Sequence, residues 1–351
     1  MWFLVMMKKI SILSFVAFFL GQIVFAKKPI LIMTPTSSHP EFIALQYKAF
    51  EKCIQDSYEF IVFNDASDPV IARQITDMCA MLNIKCYSVP QEGRQPKQII
   101  SPFGYYSWAS YRHAHAVEYM MQKAGFDYDG IVVLIDSDMF PVRALNVTNF
   151  LGSYDIAGLK NFSYGDSMEC FWAGLIFFNM KTLPNKKSMR FLPVETETVR
   201  LDSGGSLFQY FRDNPSVTKL IFNQEARFRL DEKLYPYYAY PSYPSKWRYI
   251  DCNACQSKKE LGFCSGFGPV DDREAYTKCK HKKSIFEEYG FHENMVNMIL
   301  GHKVPTRSEF ILKDTFFHAV ASSGYLKRSS QEVKKRVPKI AAFVNEAISL
   351  V

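Results

Sequence analysis

Asp136 and Asp138 stand one residue apart at the end of an apolar run, Ile131-Val132-Val133-Leu134-Ile135-Asp136-Ser137-Asp138. Two carboxylates fixed together at the end of a buried strand repel each other, and the arrangement is costly unless a cation neutralises them. Mn2+ or Mg2+ suits the pair, because these hard ions take oxygen ligands from protein and phosphate together. An ion there would bridge the carboxylates to the phosphates of a substrate and act as a Lewis acid on a departing group.

The elements around the pair follow an alternating pattern. Residues 30–33 read as an apolar strand ending in Thr34-Pro35, and Pro40 opens a helix with Phe42, Leu45, Phe50, Cys53 and Ile54 at helical spacing. Residues 58–63 form a second strand ending at Asn64-Asp65. Residues 70–83 carry Ile71, Ile75, Met78 and Leu82 on one helical face, and residues 86–89 make a third strand. A polar connection over 91–102 leads to a helix over 107–124, then to the apolar strand 130–135, whose unbroken hydrophobicity predicts burial on both faces. This order predicts an α/β fold with a central, mostly parallel sheet flanked by helices. Ligands in such sheets sit beyond the carboxyl ends of the strands, so Thr34, Asp65 and Asp136-Ser137-Asp138 should gather on one edge. Further strands are expected over 156–159 and 171–179, a short helix from Gly204-Gly205 to about Phe211, and an amphipathic closing helix over 331–351.

The chain has 351 residues, 48% of them hydrophobic and 15% aromatic, which supports a sizeable core and argues against disorder. A formal charge of +7 on scattered lysines and arginines, without a basic stripe, gives no expectation of nucleic-acid binding. Lys8 and Lys9 precede an uncharged stretch from Ile10 to Phe25 that closes on Val24-Phe25-Ala26, the pattern of a secretory signal over residues 1–26. Residues 27–351 then form one domain, exported to the secretory lumen, the periplasm or the medium. An uncleaved, type II membrane anchor is the alternative, and only then would the protein contact a membrane. Residues 235–285 form a Tyr/Pro- and Cys-rich insertion. Within it Cys252, Cys255, Cys264 and Cys279 are read as two disulfides, or with His281 as a structural zinc site. Cys53 and Cys79 fall on apolar helical faces, and Asn146-Val147-Thr148 and Asn161-Phe162-Ser163 are glycosylation sequons.

Asp136-Ser137-Asp138 after its apolar strand resembles the "DxD" motif of the GT-A glycosyltransferases, which use nucleotide-diphosphate sugars. Phe171-Trp172-Ala173-Gly174-Leu175-Ile176-Phe177-Phe178-Asn179 looks like the strand lining their donor-sugar and acceptor pocket. Leu201-Asp202-Ser203-Gly204-Gly205 looks like their acidic, glycine-bearing turn near the acceptor. Phe317-His318 with Ser322-Ser323-Gly324-Tyr325 is similar to the late segment whose imidazole completes the metal site. The resemblance spans residues 29 to about 326 apart from the insertion, and implies a Rossmann-like GT-A sandwich. It implies Mn2+ or Mg2+ held by Asp136, Asp138 and His318, with Asp136 binding either the ribose or the ion through water. It also implies a UDP- or GDP-linked sugar donor and a glycan, protein or lipid acceptor. Thr34 and Asp65 would hold the nucleoside, Arg112 the diphosphate or sugar, and Ser137, Trp172, Ala173, Gly174 and Gly204 would line the pocket. Asp202 would orient an acceptor hydroxyl or serve as its base. Blander roles stay open: Asp65 as a helix cap, Arg112 in a surface pair, Asp202 as a turn residue, His318 as a core histidine. His113 and His115 are read as packing or surface residues. No Lys-Pro-Trp follows His318, unlike in glycogenin-like enzymes. Two rivals remain: a haloacid-dehalogenase-type phosphatase with Asp136 as nucleophile, and a non-catalytic carbohydrate-binding protein on the same scaffold.

Overall fold

The expected alternation is realised in a computed structural model that describes residues 28–91, 108–160, 169–195, 200–222, 228–230, 236–238, 248–249, 290–301, 303–305, 308–312, 314–319 and 330–351. The first half runs β1 (Ile30–Thr36), α1 (Glu41–Cys53), β2 (Tyr58–Asn64), α2 (Pro69–Met81), β3 (Lys85–Ser88), α3 (Trp108–Met120), β4 (Ile131–Ile135). It continues through β5 (Met139–Pro141), α4 (Val147–Leu151), β6 (Ile156–Lys160), β7 (Phe171–Asn179), β8 (Val194–Glu195), β9 (Arg200–Leu201), α5 (Leu207–Asp213) and β10 (Lys219–Phe222). The remainder is β11 (Phe228–Leu230), β12 (Pro236–Tyr238), β13 (Arg248–Tyr249), α6 (Glu293–Leu300), β14 (Ser308–Ile311), β15 (Phe316–His318) and α7 (Ser330–Ser349).

Seven strands form the main sheet in the order β10-β6-β7-β4-β1-β2-β3. β1 lies parallel to β2 and β4, β2 to β3 and β10 to β6, while β7 runs antiparallel to both neighbours. The sheet is therefore mostly parallel, as its pattern of crossovers requires. Alternation along β1 sends Leu31 and Met33 to a cluster with Ala116, Val117 and Met120 of α3. Ile30 and Ile32 go to the opposite face, against Ile43 and Phe50 of α1 and Ile75 and Cys79 of α2.

Short strands build a second layer that sequence periodicity does not announce. The order β13-β12-β11-β14-β15-β5 is antiparallel throughout. α1 joins the two sheets: Phe42, Leu45, Ala49 and Cys53 pack with Phe140, Phe310 and Phe317 of the second sheet in one cluster with α6 and α7, while Met139, Ile311 and Phe316 turn to the cluster beneath the main sheet. A helix buried on two faces carries apolar residues around most of its circumference. The closing helix expected over 331–351 is α7, which packs Ile340, Phe343, Val344 and Ala347 into this layer.

Cys53 and Cys79 are fully buried core residues, and the described cysteines, Cys53, Cys79, Cys86 and Cys170, are free thiols. Asn146 caps α4, its side chain accepting from the amide of Asn149 at 2.8 Å. The signal segment, the Asn161 sequon and the four late cysteines lie outside the described residues. Among the described residues no helix is long and apolar enough to cross a membrane.

Candidate metal and donor site

The turn from β4 to β5 carries the two aspartates. Its first end is held by Asp136, whose amide donates to the carbonyl of Gly174 on β7 at 2.9 Å. From below, the buried side-chain amide of Gln46 on α1 donates to the carbonyls of Asp136 at 2.8 Å and Met139 at 2.9 Å. One polar residue in a helix otherwise buried against both sheets thus fixes both ends of the turn. β5 then pairs with β15, setting Met139 opposite His318, and the Ala319 amide donates to the carbonyl of Asp138 at 2.9 Å. The second sheet is therefore the device that carries His318, 180 residues downstream of Asp138, to the end of β4.

One ligand atom each from Asp136, Asp138 and His318 fall within 4.8 Å of one another. Asp138 and His318 are 1% and 5% exposed, whereas the Asp136 side chain keeps 16% of its surface and marks the solvent side. Nε2 of His318 lies 3.3 Å from Oδ1 of Asp138, and Nδ1 lies 3.0 Å from Oε2 of Glu309. Glu309 is the cross-strand partner of His318 in the β14–β15 ladder, which is how a buried carboxylate comes to stand beside the ring. A carboxylate at Nδ1 fixes the ring and its tautomer and presents Nε2 to an ion. Burial opposes a charge on His318, but the Asp138 carboxylate and then Glu309 outweigh it, raising the pKa to about 10.

Next to this group stands His113, expected to be a packing or surface residue; that expectation is corrected here. Its Nε2 meets Oδ1 of Asp136 at 2.9 Å and its Nδ1 meets the hydroxyl of Ser203 at 3.0 Å. Burial again works against the charge, yet Asp136, and beyond it Asp202 and Asp65, raise the pKa above the ordinary imidazole value. A histidine one residue from Arg112 on a helix leading to the aspartates was the signal available in the sequence.

Arg112 and Asp65 are brought together, but as a pair. The Arg112 Nε donates to Oδ2 of Asp65 at 2.9 Å, and its terminal nitrogen donates to the Asp65 carbonyl. The helix cap is Asp68 instead, its carboxylate accepting from the amides of Val70 at 2.8 Å and Ile71 at 3.3 Å. The Asp65 side chain is only 5% exposed and that of Arg112 22%. Thr34 does not join them. It is fully buried, on the face of β1 shared by Ile30 and Ile32 and away from α3, and its hydroxyl has no hydrogen-bond partner among the described residues. Ser137 is buried between the two aspartates, 5% exposed.

β7 contributes through an irregularity. Its register with β6 shifts between Gly158 and Lys160, so Lys160 pairs with Phe171 rather than in step. Such a bulge re-aims side chains. Ala173 is 2% exposed and packs in the cluster shared with α3. The indole of Trp172 lies over Gly174, where a Cβ would come within 2.2 Å of the ring, and its centroid is 5.5 Å from that of His318. The turn at 202–205 is strapped to the same strand, the Ala173 amide donating to the Ser203 carbonyl at 3.1 Å. Gly204 has φ +89°, and a Cβ there would sit 2.1 Å from the Phe171 carbonyl oxygen, so only glycine fits. Asp202 is half-buried and accepts from the Ser203 amide at 2.7 Å, a turn role that leaves its carboxylate beside His113.

The donor set fits a divalent ion. Asp136 and Asp138 bring two carboxylates to the His318 imidazole, with Glu309 behind that ring, and the added positive charge of an ion would offset the paired carboxylates.

No protein-family model matches the chain, and no curated protein matches it. Among solved structures it is similar to a mannosyltransferase from Pyrobaculum calidifontis in complex with GDP-Man and Mn2+, at 12% identity and TM-score 0.37, covering 56% of this chain and 55% of that one. Another is glucosyl-3-phosphoglycerate synthase from Mycobacterium tuberculosis with Mn2+ and UDP-Glc, at 13% identity and TM-score 0.32, covering 55% and 68%. A third is a galactosyltransferase in complex with donor and acceptor sugar analogs, at 16% identity and TM-score 0.28, covering 43% and 58%. The chain thus spans little more than half the length of the first and third. Overlaps this partial leave the functional reading to rest on the side chains of the site.

Proposed function

We propose that this chain is a metal-dependent glycosyltransferase of GT-A type, moving a sugar from a nucleotide-diphosphate donor to an acceptor hydroxyl. The observation that carries the proposal is the convergence of Asp136, Asp138 and His318 within 4.8 Å, with Glu309 behind the imidazole. A bound ion would neutralise the charge that develops on the departing diphosphate. Asp138 and His318 would hold it, with Asp136, the most exposed of the three, at the lip of the site. The single nitrogen donor favours Mn2+ over Mg2+, which takes oxygen ligands almost alone.

The chain's own residues then divide the work. Gln46 keeps the aspartate turn rigid, so the carboxylates need not be ordered when a donor binds. Asp65 holds the Arg112 guanidinium near the sheet edge, where a cation favours a diphosphate. The Trp172 indole offers a flat apolar face beside His318, suited to cover a sugar ring and exclude water. Asp202, whose carboxylate acts on His113 together with Asp136, would accept the proton of an acceptor hydroxyl.

The test is release of nucleoside diphosphate from a panel of nucleotide sugars with and without Mn2+. Metal-dependent turnover lost in Asp138→Ala supports the proposal, and turnover unaffected by metal or by the substitution defeats it. Export is part of the same proposal. Mass spectrometry of protein secreted by its host should find Lys27 as the first residue, and a retained N-terminus would argue for the anchored form.

A further inference from the structure

His113 has no part in the roles assigned so far, yet its ring touches two of the loops that build the site. We infer that His113 is a positioning residue: it locks the Asp136 carboxylate to the Ser203 turn, so that the ion-binding edge and the acceptor-side turn are held at one fixed separation. This rests on the proposed metal-dependent function and deepens it.

Each end of the bridge is itself anchored. On one side, Nε2 lies 2.9 Å from Oδ1 of Asp136 as an ion-pair contact off the line of a hydrogen bond, and the Asp136 backbone is held by Gln46 and Gly174. On the other, Nδ1 lies 3.0 Å from the hydroxyl of Ser203, a residue 2% exposed. The Ser203 carbonyl accepts from Ala173 and the Gly204 amide donates to the Phe191 carbonyl at 2.7 Å, so this turn cannot follow the ring if the bridge is cut. α3 itself is fixed by Ala114, Ala116 and Val117 in the core and by Arg112 on Asp65. With one oxygen drawn to the ring by this ion pair, the Asp136 carboxylate keeps less torsional freedom before any ion arrives, and that part of the ordering cost is removed from ion binding.

Electron paramagnetic resonance of free Mn2+ tests the inference without needing turnover. Wild type, His113→Asn, His113→Gln, Ser203→Ala and Asp138→Ala are titrated with Mn2+ alone, and urea midpoints are recorded alongside. Asparagine keeps a group near the Nδ1 position and faces Ser203 only; glutamine reaches toward the Nε2 position and Asp136. His113→Asn should weaken Mn2+ about tenfold or more, within the range seen when groups behind a ligand are removed. His113→Gln should restore most of that loss, and Ser203→Ala should weaken binding several-fold although it is not in the ion-binding set. His113→Asn and Ser203→Ala both binding Mn2+ within about twofold of wild type would overturn the positioning role, since outer groups that orient a ligand cost more than this. Should His113→Asn fail to fold, Ser203→Ala reads the same bridge from its other end. A wild type that does not bind Mn2+ defeats the functional proposal itself, whereas Mn2+ binding lost in Asp138→Ala and intact in the bridge variants defeats only the role of His113.

Discussion

Lowering the pH should expel the ion from this site one proton at a time, and the size of the effect can be worked from His318. Its pKa, raised to about 10 by Asp138 and Glu309 against burial, lies well above the ordinary 6.5. In the metal-free protein the ring is therefore protonated at neutral pH, and an ion needing Nε2 must displace that proton. Between pH 6 and 8 the Mn2+ affinity should rise about tenfold per pH unit, with a cost at pH 7 of roughly three pKa units, on the order of 4 kcal/mol. The sign for stability is opposite. A folded-state pKa above the unfolded value stabilises the metal-free protein fully below about pH 6.5, and that contribution is lost as pH rises through about 10. Calorimetric titration of Mn2+ at pH 7 in two buffers of different ionisation enthalpy reads the release directly. About one proton should leave per ion bound, and Glu309→Gln should lower both the His318 pKa and the pH at which affinity levels off. Zero protons released, with a dissociation constant flat from pH 6 to 8, would refute the reasoning that an ion replaces the His318 proton.

Two substitutions probe how the site is supported. Gly204→Ala forces a side chain onto a φ of +89° and a Cβ to 2.1 Å from the Phe171 carbonyl, so it should cost about 3 kcal/mol or more in urea unfolding; an unchanged midpoint would show that the turn relaxes freely. Gly174→Ala meets the movable indole of Trp172 rather than backbone, so it should shift tryptophan fluorescence and weaken Mn2+ binding while lowering stability less than Gly204→Ala, an order that a urea titration checks.

The main sheet was legible because its strands are long, continuously apolar and separated by amphipathic helices: 30–33, 58–63 and 130–135 lie within or one residue from β1, β2 and β4. Asp136 and Asp138 were legible for the same reason, since a buried strand that ends in two carboxylates poses its own electrostatic question. The second sheet was not, because β5, β14 and β15 are three or four residues long and gain their identity only from pairing across the chain. With it went Glu309, whose partner His318 stands nine residues on, across a hairpin. His113 was misread because helical periodicity says which face a residue occupies, not what waits there; Ser203 lies 90 residues away. Thr34 lies within β1, which runs on to Thr36, and alternation along the strand buries it on the face shared by Ile30 and Ile32.

The most direct measurement is the thermal stability of wild type and Asp138→Ala with UDP and GDP, each with and without Mn2+. A site that grips a nucleotide diphosphate through the ion predicts stabilisation only when both are present, about 2.7 kcal/mol at a hundredfold excess over the dissociation constant, and none in Asp138→Ala. A wild type that neither nucleotide stabilises, or an Asp138→Ala protein that responds as wild type does, would contradict the account.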